Sequence, residues 1–219
     1  MTRPDLVIFD CDGVLVDSEP PTLALLRDDL ARFGLDLTMA DIERDYTGLL
    51  MKNVGRKAEA AGARLPATWV EDFYVQMFDR LRAGVPLIDG VEAVFDALDT
   101  AGIPYCVASN GPMEKMAITL GAHPAIYARL TGNLHSAHTH GVAKPDPELL
   151  RRAAAAMGVD PSRAVMVDDS PSGCLAAAGV PMPCFGFDPT GDGARLTAHG
   201  AIHLRRLADL PAHLGLPAL

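Results

Sequence analysis

Two kinds of segment alternate along the chain. One is a short unbroken apolar run; the other places an apolar residue at every third or fourth position. An unbroken run suits a strand buried on both faces, as in a parallel sheet. The first covers residues 6–9 and ends in Asp10-Cys11-Asp12-Gly13. Further strands are predicted over 104–108, ahead of Ser109-Asn110-Gly111-Pro112, over 163–167, where the apolar run follows Arg163 and precedes Asp168-Asp169-Ser170-Pro171, and over 182–187. A weaker strand is predicted over 127–131, followed by a polar, irregular loop rich in histidine. Helical spacing links Leu23, Leu26, Leu30 and Phe33, closed by Gly34. It returns at Leu50, Val54, Ala58 and Ala61, and again at Phe73, Met77 and Leu81. Thr68 and Glu71 read as a capping box for that third helix, and Asp17 and Asp146 as caps of two others.

Further helices are predicted near 91–98, 113–120 and 149–157, in the alanine-rich stretch before Gly179, and near 207–214. Strands alternating with helices imply a doubly wound parallel α/β sheet. Residues 17–85 show helices and no convincing strand, so they read as a small all-helical domain inserted after the first strand. The expected α/β core is then 1–16 with 86–219.

Composition narrows the function. The 219 residues carry a net charge of −9, which argues against nucleic acid as a partner. No apolar stretch approaches the roughly 20 residues of a membrane span. The chain enters a strand at once, without the pattern of a signal peptide. Cys11, Cys106, Cys174 and Cys184 share no metal-type spacing and read as small core residues of a reducing, cytoplasmic protein. Oligomeric state has no signature here.

In a parallel sheet all strand carboxyl ends share one edge. Asp10 and Asp12, Ser109 and Asn110, and Asp168 and Asp169 can therefore converge there, with Lys144 from the loop before a helix. Carboxylates leaving buried strands are costly without a cation or a catalytic role. Four acids outweigh one lysine, and a hard divalent ion with oxygen ligands, Mg²⁺, fits that chemistry. With the ion and Lys144 in place the edge can accept a phosphate dianion. His135, His138 and His140 fit no ligand spacing. Walker loops, dinucleotide fingerprints and nucleophile elbows do not occur.

Taken in order, Asp10-x-Asp12-Gly13-Val14, Ser109-Asn110, Lys144-Pro145-Asp146-Pro147 and Asp168-Asp169-Ser170 resemble the four motifs of the haloacid dehalogenase superfamily. The resemblance covers nearly the whole chain and is nearest to the phosphatase and β-phosphoglucomutase-like branch. It implies a Rossmann-like core with a helical cap, and Mg²⁺-dependent hydrolysis of a small phosphorylated metabolite through an aspartyl-phosphate. Asp10 would be the nucleophile and Asp12 the general acid and base. Ser109 and the Asn110 amide would bind phosphate, and Lys144 would neutralise the phosphoryl group and Asp10. Mg²⁺ would be held by Asp10, the Asp12 carbonyl, Asp169 and, directly or through water, Asp168. The cap residues that would select the substrate are Thr47, Gly48, Lys52 and Asn53.

Four rivals are weighed against this reading, one of them a phosphonate hydrolase, which departs from the pattern at the position of Asp12 and does not fit. Dehalogenases of this fold lack the second acid of the first motif, and Asp12 is present. A β-phosphoglucomutase-like phosphomutase shares every core motif, but Thr22 stands where many sugar-phosphate members carry a histidine. A non-catalytic binding or regulatory module would have lost an acid, and none is missing. Ser109-Asn110-Gly111-Pro112 with Lys115-Met116 is similar to bacterial 6-phosphogluconate phosphatases, a local likeness.

Overall fold

The apolar runs become strands with no wet face. In the computed structural model, which describes residues 3–47, 49 and 51–219, strand β1 (Leu6–Phe9) is buried at every position. Four helices follow: α1 (Glu19–Arg32), α2 (Met39–Tyr46), α3 (Met51–Ala60) and α4 (Trp69–Arg82). Then come α5 (Val91–Ala101), β2 (Tyr105–Ser109), α6 (Met113–Gly121), α7 (Pro124–Leu130), β3 (Leu134–Ser136) and α8 (Ala137–His140). The remainder is α9 (Glu148–Ala156), β4 (Ala164–Asp168), α10 (Pro171–Ala178), β5 (Cys184–Phe187), α11 (Ala194–Thr197), β6 (Ile202–Leu204) and α12 (Leu210–His213).

The described residues form a parallel six-stranded sheet in the order β3-β2-β1-β4-β5-β6. Its pleat sends alternate side chains to opposite faces. Leu6 and Ile8 pack among Leu149 and Leu150 of α9 and Ala176 and Ala177 of α10. Phe9, on the other face, meets Phe95 of α5 at 5.5 Å between ring centroids. Helices thus cover both faces, which is why the strands are apolar throughout. The chain starts in the middle, builds outward to β3, and returns to the other side of β1. That reversal opens a crevice at the carboxyl ends of β1 and β4, where open α/β sheets bind ligands.

The chain divides into two compact units, one running to Asp17 and resuming at Pro86–Leu219, the other Ser18–Val85. Within the sheet unit the departing and returning segments run side by side: Asp17 N donates to Pro86 O (2.9 Å) and Ile88 N to Leu15 O (3.0 Å). The helical unit is built around a buried carboxylate. Asp29 of α1 accepts from Trp69 Nε1 (2.7 Å) and from Arg32 (3.1 Å), so its charge is paired and its lone pairs are used. Leu26, Leu30, Ile42, Phe73 and Leu81 close the apolar core around it.

Several local expectations are corrected. Residues 127–131 are not a strand but the end of α7, whose Ile126 and Leu130 bury one helical face behind Pro124. The third strand instead lies at Leu134–Ser136, and what reads as an irregular histidine loop is that strand followed by the single turn α8. The short edge strand β6 and helix α2 were not expected. Thr68 forms no capping box; its hydroxyl donates to Asp72. The reciprocal box is at Thr38 and Asp41, opening α2. Ser18, not Asp17, flanks the start of α1. Pro147, not Asp146, is the N-cap of α9, although the Asp146 carboxylate one residue earlier accepts from Glu148 N at 2.9 Å. The four cysteines are buried free thiols.

Candidate active site

The turn after β1 sets the first two acids. Asp10 N donates to Val167 O (2.9 Å), which keeps Asp10 between β1 and β4. Leu15 N and Val16 N return to Cys11 O and fold residues 11–16 into a tight loop. Gly13 must be glycine twice over: its φ is +77°, and a Cβ there would lie 2.2 Å from Asp169 Oδ2. Asp168 ends β4. Its Oδ1 accepts from Ser170 N (2.9 Å) and Ser170 Oγ (2.6 Å), and its Oδ2 accepts from Lys144 (2.7 Å). Ser170 also caps α10 by accepting from Gly173 N. Gly173 lies flat on Asp168, where a Cβ would come within 1.9 Å of the carboxylate.

Lys144 arrives from the loop after α8, and Asn110 holds that loop. Asn110 Nδ2 donates to Lys144 O (2.9 Å), and Lys144 N donates to Asn110 Oδ1 (2.8 Å). The Asn110 side chain is therefore a clamp for Lys144, and not itself turned to an anion. The Lys144 ammonium donates to Asp10 Oδ1 (2.8 Å), Asp168 Oδ2 (2.7 Å) and Ala108 O (3.0 Å), all buried. Burial works against its charge, but Asp10 and Asp168 outweigh it, and the Lys144 pKa is raised. Burial pushes the Asp10 carboxyl up to about 7, against the pull of Lys144 and with the push of Asp168. Asp169 is likewise held well above the usual carboxylate range by burial and then by Asp10 and Asp168.

Carboxylate oxygens of Asp10, Asp168 and Asp169 lie within 4.8 Å of one another. Crowded, desolvated carboxylate oxygens that outnumber the positive charge beside them are the donor set a hard divalent cation satisfies, so the residues present fit Mg²⁺. Asp12 stands apart from that trio. Its Oδ2 pairs with Lys115 Nζ of α6 at 2.9 Å. Burial opposes the Lys115 charge, and Asp12 more than restores it. Ser109, at the end of β2, accepts from Gly111 N (3.0 Å) beside the amino end of α6.

The structure thus brings together Asp10, Asp12, Ser109, Asn110, Lys144, Asp168 and Asp169. Sequence reasoning gave no role to four contributors: Lys115 and Ser170, read only as parts of longer motifs, Gly173, and Arg195, which donates to Asp169 O at 2.7 Å. Two left a signal. Lys115 is a cation in the first turn of a helix, against its dipole, and Gly173 is a glycine inside a helical stretch. The histidines lie elsewhere. His135 is buried in β3 with its Nδ1 3.4 Å from His140 Nε2, and no third ligand joins them among the described residues. In the helical unit Thr47 ends α2, and Lys52 and Asn53 are exposed in the first turn of α3. Gly48 lies outside the described residues.

A sequence model of the haloacid dehalogenase-like hydrolases matches residues 4–180. The 6-phosphogluconate phosphatase of Escherichia coli (strain K12) is 31% identical over 192 residues, which are 85% of this chain and 84% of that protein. The validoxylamine A 7'-phosphate phosphatase of Streptomyces hygroscopicus subsp. limoneus is 28% identical over 216 residues, 96% of this chain and 98% of its own. A haloacid dehalogenase family hydrolase from Deinococcus radiodurans R1, crystallised with bound phosphate and sodium, has a TM-score of 0.84 at 25% identity over 100% of both chains. The match spans β1, β2 and β4 and every acid at their ends, and the chain belongs to the haloacid dehalogenase-like hydrolases.

Proposed function

We propose that this enzyme, a phosphatase, hydrolyses the monoester of a small phosphorylated metabolite, a sugar phosphate or sugar-acid phosphate, through an aspartyl-phosphate on Asp10. The observation that carries the reading is the buried ion triad Asp10–Lys144–Asp168 with Asp169 beside it. Lys144 holds one oxygen of Asp10 still, so the carboxylate is oriented for attack and not free to rotate. In the first half-reaction an Asp10 oxygen bonds to phosphorus, the ester P–O bond breaks, and Asp12 gives its proton to the leaving oxygen. In the second, Asp12 takes a proton from water, the water oxygen bonds to phosphorus, and the Asp10–phosphorus bond breaks. Ser109 Oγ, the Asn110 backbone N–H and the amino end of α6 are assigned to the phosphoryl oxygens. Asp10, Asp169, Asp168 and the Asp12 carbonyl would hold Mg²⁺, which when bound would supply positive charge that offsets the dianion against the acids.

The names of the two curated relatives support the substrate class. The phosphate bound to the structural relative supports the site. Thr22 supports hydrolysis over mutase transfer: its hydroxyl donates to Ser18 O at 2.7 Å, and it stands where many sugar-phosphate members of the branch carry a histidine. Choice among metabolites is assigned to the helical unit, through Thr47, Gly48, Lys52 and Asn53. The test is phosphate release from a panel of phosphorylated metabolites, with Mg²⁺ and in chelator, followed by peptide mapping of trapped phosphoenzyme. Asp10→Asn should abolish turnover and trapping. Asp12→Asn should lose on the order of 10²–10⁴ in rate. Label found on Asp12, Ser109 or a histidine in place of Asp10, or full activity in chelator, refutes the mechanism.

A further inference from the structure

Asp12 has a cation of its own. The Lys144 ammonium has three protons, and all are committed, to Asp10, Asp168 and Ala108 O. It has none for Asp12. Lys115 Nζ instead lies 2.9 Å from Asp12 Oδ2. The Lys115 side chain is only 16% exposed, and it sits in the first turn of α6, where the helix dipole disfavours a cation. Burial and dipole both work against the Lys115 charge, and the Asp12 carboxylate is the partner that offsets them. The backbone of Gly111 runs along the pair, since a Cβ there would contact Asp12 Oδ2 at 3.6 Å and Lys115 Cδ at 3.7 Å. Asp12 itself stands in the tight loop after β1, directly ahead of the left-handed Gly13. Proton transfer requires a reach of about 2.6–3.2 Å to the oxygen it serves, so an Asp12 that wandered between rotamers would serve poorly.

We infer that Lys115 is a positioning residue that holds the Asp12 carboxylate in one orientation beside the nucleophile. The inference rests on Asp12 acting as acid and base. Its effect is on kcat, and it is largest for an ester whose leaving oxygen needs a proton.

The experiment compares wild type, Lys115→Met, Lys115→Arg, Asp12→Asn and Asp12→Asn/Lys115→Met, each in saturating Mg²⁺, on phenyl phosphate and on p-nitrophenyl phosphate. Melting curves report folding, and Lys115→Gln replaces Lys115→Met should the latter not fold. Lys115→Met should lower kcat on phenyl phosphate by about 10–100-fold, a share of the range for general acid–base catalysis. KM should stay within roughly 3-fold, the mark of an interaction used in the transition state. The loss on p-nitrophenyl phosphate should be several times smaller, and Lys115→Arg should recover most of it. The double variant should be no slower than Asp12→Asn alone, because residues acting as a unit are not additive. Equal losses on both esters, a KM rise with kcat unchanged, or full additivity in the double variant overturns the inference. If Asp12→Asn itself fails to discriminate between the esters, the role of Asp12 is wrong and the inference falls with it.

Discussion

Replacing Lys144 by methionine tests the energetics of the site separately from its chemistry. The ammonium is nearly sealed from water, with the Lys144 side chain 2% exposed and Asp168 fully buried. Methionine keeps the length of the side chain and removes three donors. Two carboxylates, Asp10 and Asp168, then lose their shared counter-charge in a buried crevice. Breaking a buried pair in this way costs about 3–5 kcal/mol. For a chain of this size each kcal/mol shifts the melting temperature by about 2–4 °C, so the expected loss is roughly 6–20 °C. The melt is run at pH 8 in chelator, where no divalent ion offsets the charge and bound protons offset it less than at lower pH. Adding Asp168→Asn to Lys144→Met removes one of the orphaned charges and should recover a large part of the lost stability while turnover stays abolished. A Lys144→Met protein that melts within about 2 °C of wild type at pH 8 would refute the ion triad as the element that makes these acids tolerable. Recovered turnover in the double variant would refute the catalytic part.

Burial raises the Asp10 carboxyl from 3.8 to about 7, so the folded state binds that proton more tightly than the unfolded chain does. The stability this contributes is full below about 4 and is lost as pH rises through about 7. In chelator, Asp10→Asn should therefore gain on wild type in melting temperature between pH 5 and pH 8, and Mg²⁺ should raise the wild-type melt more at pH 8 than at pH 5; a pH-independent difference counts against the assignment. Gly173→Ala should cost more than about 2 kcal/mol and most of the activity, because its Cβ would land on an Asp168 carboxylate fixed by three hydrogen bonds. Gly121→Ala, with nothing within 4 Å and an ordinary helical φ, should be neutral or stabilising by up to about 1 kcal/mol in the same denaturant titration. Lys52→Ala should change KM for the metabolite that the panel identifies and leave p-nitrophenyl phosphate nearly untouched; equal effects would remove Lys52 from the specificity set.

The strands β1, β2 and β4 were legible because a strand covered on both faces cannot hide its composition: every position must be apolar, and the acids stand out where the run stops. The joint position of Asp10, Asp12, Ser109, Lys144, Asp168 and Asp169 followed from one topological fact, that parallel strands end on one edge. Short edge elements carried no such mark. β6 has only three residues, with Ile202 exposed and only Leu204 buried, and the 124–130 helix is too short for its period to be told from a strand. What tertiary structure alone decided is the partnership of side chains distant in sequence. Asp29 is neutralised by Arg32 and bonded by Trp69, 40 residues away. Asn110 spends its amide on the backbone of Lys144, 34 residues on. Lys115 answers Asp12 across the crevice. A residue type tells which bonds a side chain is able to make; only the packed chain settles which partner comes within 3 Å of it, because in a crowded, low-dielectric crevice each donor is claimed by the nearest charge.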